Sequence, residues 1–259
     1  MLDAGYAEHS TQYDPLPEGV LRLTFNSATL GHSGLSNVRS ERILLINAAG
    51  DTVAAGMYEP GHAIRTSDSK KAAFTIGELN GMATQRADLL AEMLSAVGPT
   101  KVTTNLWGER WSKLTLNSMS NAVSAVTGLG SAETRQTEGV VELMIGLAAE
   151  VVRVGEFLGI EVEPVAGIPA GDYTRIKDAE SIENLKAQMA EWANLVAGGR
   201  PSMLQDVMKG RRTEIDYLNG YVVRRGKEVG VDTPLNKTIT QLVKKIDLGL
   251  LTPDVSNIK

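Results

Sequence analysis

The hydrophobic periodicity of this chain changes near residue 105, and that change most constrains its fold. Beyond this point apolar residues recur at helical spacing almost to the end. Before it, one helical pattern at 84–97 lies among short β-like runs at 20–25, 43–46, 63–66, 72–76 and 102–104. We therefore expect an α/β domain at residues 1–104 and an all-α domain at residues 105–259.

Composition and charge restrict the class of function. The chain has 259 residues, enough for one large domain or two modest ones, and a net charge of −5. Nucleic acid is not an expected partner, because phosphate binding needs clustered Lys and Arg. The chain has no cysteine, and His9, His32 and His62 lack metal-ligand spacing, so no metal ion is expected.

The amino-terminal residues and the apolar runs bear on location. The opening MLDAGYAEHS has no basic stretch followed by an apolar one, so it is not a secretory signal. No apolar run approaches the roughly 20 residues of a membrane span. Glu142 and Glu150 interrupt the longest candidate. We expect a cytoplasmic protein with no membrane partner.

The segment LWGERWSKLTLNSMSNAVSAVTG predicts a helix with two patterned faces. Lys113, Asn117 and Asn121 recur every fourth position, with Ser120 and Ser124 on the same face and apolar residues opposite. An ordinary solvated face would carry more Glu and Lys at i,i+4 spacing. This face, with one cation among amides and hydroxyls, suits a polar cleft. A solvated face on an amphipathic helix remains the alternative.

The segment RPSMLQDVMKGRRTEIDYLNG contains two helix-start signals. Pro201 followed by Ser202 is the first. Thr213 and Asp216 have the spacing of a capping box, which predicts a helix start with Glu214 in its first turn. The helix dipole favours a carboxylate there, so we expect Glu214 to be ionised. The simpler alternative is that Glu214 is only a helix-start acid.

Two further patterns predict structure rather than chemistry. The tryptophans Trp107, Trp111 and Trp192 are expected to pack in the helical core. The alternative is that one of them lines the cleft. The string GLGSAE at 128–133 is interpreted as a turn after the helix, because it lacks the third glycine of a dinucleotide-binding loop.

The two polar segments together resemble the helical domain of the ketopantoate reductase family. The resemblance rests on LWGERWSKLTLNSMSNAVSA, PSMLQDVMKGRRTEIDYLNGYVV and VDTPLNKTITQLVKKID, in that order, while MYEPGHAIRTSD and FTIGELNG resemble the end of the family's N-terminal domain. It implies an incomplete Rossmann-like domain followed by a helical domain of the 6-phosphogluconate dehydrogenase C-terminal-like type. The implied reaction is NADPH-dependent reduction of an α-keto acid, 2-dehydropantoate to pantoate, in pantothenate biosynthesis.

The resemblance also assigns roles to residues. Lys113 matches the family's catalytic lysine, which donates a proton to the ketone oxygen as hydride arrives. Asn117 and Asn121 match positions that hydrogen-bond the substrate, and Ser202 matches the serine that contacts its carboxylate. Glu214 matches the acid that orients substrate and cofactor.

The chain departs from the family pattern at two sites in the helical half. Ser131 and Gly199 stand where the family often has asparagine, which leaves the exact keto acid open.

A larger departure concerns the cofactor. The sequence contains no G-x-G-x-x-G run, whose backbone amides would hold a pyrophosphate. Aligning PLPEGVLRLTFNS with the family's last Rossmann strand would place Asn26 near the nicotinamide. We therefore expect impaired NADPH binding, as in a truncated gene product, a mis-started reading frame or a diverged partial protein. The alternative function is a non-catalytic remnant that binds ligand or dimerises; a homodimer is left open.

Overall fold

The strands of the computed structural model lie in the first part of the chain. Residues 44–48, 55–59, 62–65, 74–96, 98–195 and 199–258 are described. The strands are β1 Leu44–Ala48, β2 Ala55–Glu59, β3 His62–Arg65, β4 Phe74–Glu78 and β5 Thr100–Val102. Four of them overlap runs expected from sequence. The run at 20–25 lies outside the described residues, and β2 was missed because its Gly and Glu are depleted in strands.

A three-stranded mixed sheet lies beside the start of the helical part. Its order is β1-β4-β5, with β1 antiparallel and β5 parallel to β4, while β2 and β3 form a separate antiparallel pair. Helix α1, Gln85–Ser95, connects β4 to β5 and packs Leu90 and Leu94 against Phe74 and Ile76. Every residue of β4 is buried, as expected for a central strand.

Residues beyond 105 form helices, which confirms the expected all-α part. They are α2 Leu106–Thr127, α3 Ser131–Gln136, α4 Val140–Phe157, α5 Ala170–Thr174, α6 Ala179–Leu195, α7 Ser202–Met208, α8 Asn219–Val229 and α9 Pro234–Asp247. Short 3₁₀ turns cover Ile215–Tyr217 and Val255–Ile258. In the part of the chain that the structure describes, no helix combines the length and apolarity needed to cross a membrane.

Helix α2 is the central element, and both of its ends are fixed by local chemistry. Asn105 caps its start by accepting from the Gly108 amide at 3.1 Å, and its Nδ2 donates to the Glu161 carbonyl oxygen at 2.9 Å. Gly128 ends it in the left-handed conformation at φ 77°, which confirms the expected turn for residues 128–130, whereas the rest of the GLGSAE string begins α3 at Ser131. From Ser118 to Thr127 every residue is buried, so this half of α2 has no solvated face.

The tryptophan prediction is right for Trp111 and wrong for Trp107. Trp111 is 4% exposed and donates its Nε1 to the Val151 carbonyl oxygen at 2.8 Å. Trp107 is 45% exposed, because its Nε1 donates to the carbonyl oxygen of Leu79, just after β4, and its ring lies under Arg110. The side chain of Trp192 lies outside the described residues.

A buried polar network joins four helices. Glu150 of α4 accepts from the backbone amides of Leu235 and Asn236, both at 2.9 Å, at the start of α9. The Asn236 side chain donates to Glu150 at 2.8 Å and accepts from Asn219 at 3.0 Å, and Asn219 also donates to the Ser118 carbonyl oxygen of α2. Asn219 and Asn236 are fully buried. The network therefore fixes α4, α8 and α9 relative to α2.

We predict that Glu150→Gln lowers the free energy of unfolding by about 2 kcal/mol, because an amide nitrogen cannot accept from the buried donors that Glu150 satisfies. Urea denaturation followed by circular dichroism measures this change. Glu138→Gln, the same substitution at an exposed glutamate, is the control. If Glu150→Gln lowered the free energy of unfolding no more than Glu138→Gln does, the stabilising role of the buried network would be contradicted.

Candidate active site

The polar face of α2 lies beside helix α7. Lys113, Asn117 and Asn121 occupy successive turns of α2; the first two are half-buried and Asn121 is 9% exposed. Asn121 donates its Nδ2 to the Oγ of Ser202, the exposed first residue of α7, at 3.4 Å. This long hydrogen bond brings together two of the predicted site residues that are far apart in sequence.

Glu214 lies in the segment between α7 and α8. It is half-buried, and its carboxyl group interacts electrostatically with Lys113 of α2 and with Asp206 of α7. Burial raises the pKa of Glu214 because the charged form loses hydration; the negative charge of Asp206 adds to this rise, and the cation of Lys113 opposes it. The structure thus brings Asn121 into contact with Ser202 and Lys113 into electrostatic interaction with Glu214, and Asn117 lies between Lys113 and Asn121 on the same face of α2.

The expected capping box at Thr213 is wrong. The Thr213 hydroxyl instead donates to Oδ2 of Asp247 at 2.8 Å, at the end of α9. Glu214 precedes a 3₁₀ turn, and α8 begins only at Asn219. Glu214 therefore gains no support from the first turn of an α-helix, and its pKa is raised where we expected a stabilised carboxylate.

Two residues beside the site were missed by sequence reasoning. Asp206 belongs to the quoted PSMLQD string, but its charge has no counterpart nearby in sequence that would have linked it to Glu214. Arg135 is 3% exposed and donates to Ser120 Oγ at 3.2 Å and to the Ser131 carbonyl oxygen. Ser120 therefore supports Arg135 from the buried part of α2.

The two departures from the family pattern lie against each other. The Ser131 amide donates to the Gly199 carbonyl oxygen at 2.9 Å. A Cβ atom at Gly199 would lie 3.7 Å from Ser131 Oγ, which is ordinary van der Waals contact. These small residues thus form one local patch.

A cavity lies elsewhere, between the sheet and the helices. It has a volume of about 710 Å³ and is lined in part by Glu78, Trp107, Trp111, Tyr221 and Arg225. None of the predicted site residues that the structure describes lines it. Among the described residues, no cluster of three or more His, Cys, Asp or Glu is placed to hold a metal ion. Asn26, the other predicted cofactor contact, lies outside the described residues.

Comparison with known proteins places these segments in a family. Residues 105–247 match the family model described as "Ketopantoate reductase PanE/ApbA C terminal". This match covers more than half of the chain. The chain belongs to the ketopantoate reductase family.

Curated relatives in this family carry the name 2-dehydropantoate 2-reductase. The protein of Archaeoglobus fulgidus is 27% identical over 201 residues, which cover 77% of this chain and 60% of the relative. The protein of Mesorhizobium japonicum is 32% identical over 184 residues, covering 71% of this chain and 50% of the relative. The chain spans about half the length of the curated relatives it matches.

Solved structures support the same fold. A ketopantoate reductase of the PanE/ApbA family from Ralstonia eutropha JMP134 is 27% identical with a TM-score of 0.57, over 80% of this chain and 59% of that one. D-mandelate dehydrogenase in complex with NADH has a TM-score of 0.65 at 24% identity, over 86% of this chain and 68% of that one. The second likeness concerns the fold alone.

The raised pKa of Glu214 predicts a specific pH dependence. The folded chain holds this proton more tightly than the unfolded chain does, so the stabilisation is complete below the unfolded pKa and is lost as pH rises through the folded pKa. Glu214→Gln removes this loss. We expect the free energy of unfolding of Glu214→Gln, relative to the unsubstituted chain, to increase with pH across that window.

Urea denaturation across the acidic pH range tests this expectation. The same comparison in an Asp206→Asn background should give a smaller pH-dependent increase, because the charge that raises the Glu214 pKa is gone. In a Lys113→Met background the comparison should give a larger pH-dependent increase, because the cation that lowers the Glu214 pKa is gone. The electrostatic arrangement would be contradicted if the pH-dependent increase were absent, or if it became larger in the Asp206→Asn background and smaller in the Lys113→Met background.

Proposed function

We propose that this chain binds an α-keto acid between α2 and α7 and reduces its ketone with NADPH, with 2-dehydropantoate as the substrate. The observation that carries the proposal is the electrostatic interaction of Lys113 with Glu214 together with the Asn121–Ser202 hydrogen bond. Membership of the ketopantoate reductase family supports it. Two separate segments of the chain supply these groups. The amphipathic pattern of each segment does not by itself require the two to come together.

Lys113 is the proposed general acid. Hydride addition to a ketone builds negative charge on its oxygen, and an ammonium within hydrogen-bond distance both stabilises that charge and donates a proton. Lys113 is half-buried, so water competes less for its Nζ than at a fully exposed lysine. Protonation of the oxygen gives the 2-hydroxy acid.

The neighbouring polar groups are proposed to position the substrate. Asn117 and Asn121, one and two turns along α2 from Lys113, offer amide donors to the substrate's oxygens. Ser202 offers a hydroxyl donor to the substrate carboxylate. Asn121 and Ser202 already meet at 3.4 Å, so a carboxylate oxygen lying beside this pair could accept one hydrogen bond from each.

Glu214 is proposed to orient both substrate and cofactor. Its carboxyl group is held near Lys113. In its charged form it can accept hydrogen bonds from a substrate hydroxyl or from a ribose hydroxyl. NADPH, when bound, supplies the hydride. For the nicotinamide end, Asn26 and Glu214 are the proposed contacts.

We predict that Lys113→Ala lowers kcat/KM for 2-dehydropantoate by about 10²- to 10⁴-fold, the usual contribution of a positioned general acid. NADPH oxidation, monitored by absorbance at saturating cofactor, measures this. Lys209→Ala removes an exposed lysine just after α7 and should leave the rate unchanged. Equal rates for Lys113→Ala and the unsubstituted chain would reject the proposed chemistry.

We also predict that residues 1–259 bind NADPH at least about tenfold more weakly than a relative with a G-x-G-x-x-G turn, a difference of about 1.4 kcal/mol. This sequence has no such run, and the remaining contacts must overcome the entropy lost on association. NADPH fluorescence titration of both proteins tests the difference. Equally tight, saturable binding would show that another segment holds the phosphates.

A further inference from the structure

The segment that carries Glu214, residues 213–218, is attached along helix α9. At its start, Thr213 donates its hydroxyl to Asp247 at 2.8 Å. In its middle, the Asp216 carboxylate accepts from Lys244 Nζ at 2.6 Å. Because Asp247 and Lys244 both belong to α9, these bonds fix the Glu214 segment to α9 but not to α2, where Lys113 lies.

The residue that directly follows this segment, Asn219, makes the connection to α2. Its Nδ2 donates to the Ser118 carbonyl oxygen at 3.0 Å and to Asn236 Oδ1 at 3.0 Å. An amide nitrogen has two hydrogens, so both bonds form at once. Asn219 is fully buried, which shields both bonds from competing water. Ser118 is five residues beyond Lys113 on the same helix.

Apolar packing alone does not define the position of this segment. Ile215 and Leu218 are buried in the core at 1% and 2% exposure, so they hold the segment down. Hydrophobic contacts, however, are non-directional and tolerate small shifts. The Asn219 bonds are directional, since an N–H donor must point at its acceptor. They therefore set the register between the Glu214 segment and α2.

We infer that Asn219 is a positioning residue, which holds the Glu214 segment against α2 and so keeps Glu214 within electrostatic reach of Lys113. The effect of Asn219 on turnover rests on the proposed function, whereas its role in positioning the Glu214 segment does not. Asn219 acts through Lys113 and Glu214 and does not itself contact substrate. Asn236, held by Glu150 at the start of α9, keeps the Asn219 side chain in place.

The test is a double-mutant cycle read from the pKa of Glu214, measured by carboxyl ¹³C NMR in the full chain. The four proteins are the unsubstituted chain, Lys113→Met, Asn219→Leu and the double variant. Lys113→Met should raise the Glu214 pKa in the unsubstituted background. In the Asn219→Leu background, the same substitution should produce about half that rise or less, because the two groups are no longer held together.

Two controls separate positioning from a general loss of stability. Met189→Ala truncates a buried core residue of α6 and should leave the effect of Lys113→Met unchanged. If Asn219→Leu does not fold, Asn219→Ser takes its place in the cycle. An equal rise in both backgrounds overturns the inference. The cycle does not use turnover, so a Lys113 variant with full activity would reject the proposed function while leaving the result of the cycle standing.

Discussion

The arrangement of the helices depends on the hydrogen bonds that the buried carboxylate of Glu150 accepts. Thr233, before α9, makes no side-chain cap, and Pro234 has no amide hydrogen to satisfy. Glu150 instead accepts from the next two amides, those of Leu235 and Asn236. A charged acceptor at a helix start is favoured by the dipole and by the free amides. The carboxylate of α4 thereby fixes where α9 begins.

The position of the proposed site follows from that attachment. Because α9 is fixed at its start, Asn236 reaches Asn219, and Lys244 and Asp247 reach the Glu214 segment. Lys113 and Glu214 then interact electrostatically, with Asp206 adding the charge of a second carboxylate. The site therefore combines a cation, a half-buried acid and short amides and hydroxyls, a set suited to an anionic substrate whose oxygen gains charge during reaction.

Periodicity in the sequence was sufficient to predict the helical part. Apolar residues of α4 at helical spacing, such as Val140, Met144 and Val151, are buried in the core. The convergence of Lys113 with Glu214 came from the family resemblance, since no local pattern brings together residues from separate segments. The expectation at Thr213 failed because Asp247, distant in sequence, competes for its hydroxyl. Local capping rules do not include such tertiary partners.

Trp107 and Glu150 show that periodicity in the sequence does not determine burial, since the first is exposed and the second is buried against the pattern. Trp107 fits the helical pattern of core residues, yet the carbonyl oxygen of Leu79, the residue after β4, holds its ring at the surface. Glu150 interrupts an apolar run, yet it is 6% exposed, because the start of α9 supplies its donors. In both cases a hydrogen-bond partner far along the chain decides the burial, and periodicity carries no information about that partner.

The most direct test of the central claim is a crystal structure of this chain with 2-dehydropantoate. Our account predicts the ketone oxygen within about 2.6–3.2 Å of Lys113 Nζ, the distance required for proton donation. It also predicts the substrate carboxylate at Ser202 and Asn121. A substrate bound instead in the cavity beside Trp107 and Tyr221, or bound with its ketone turned away from Lys113, would contradict the account.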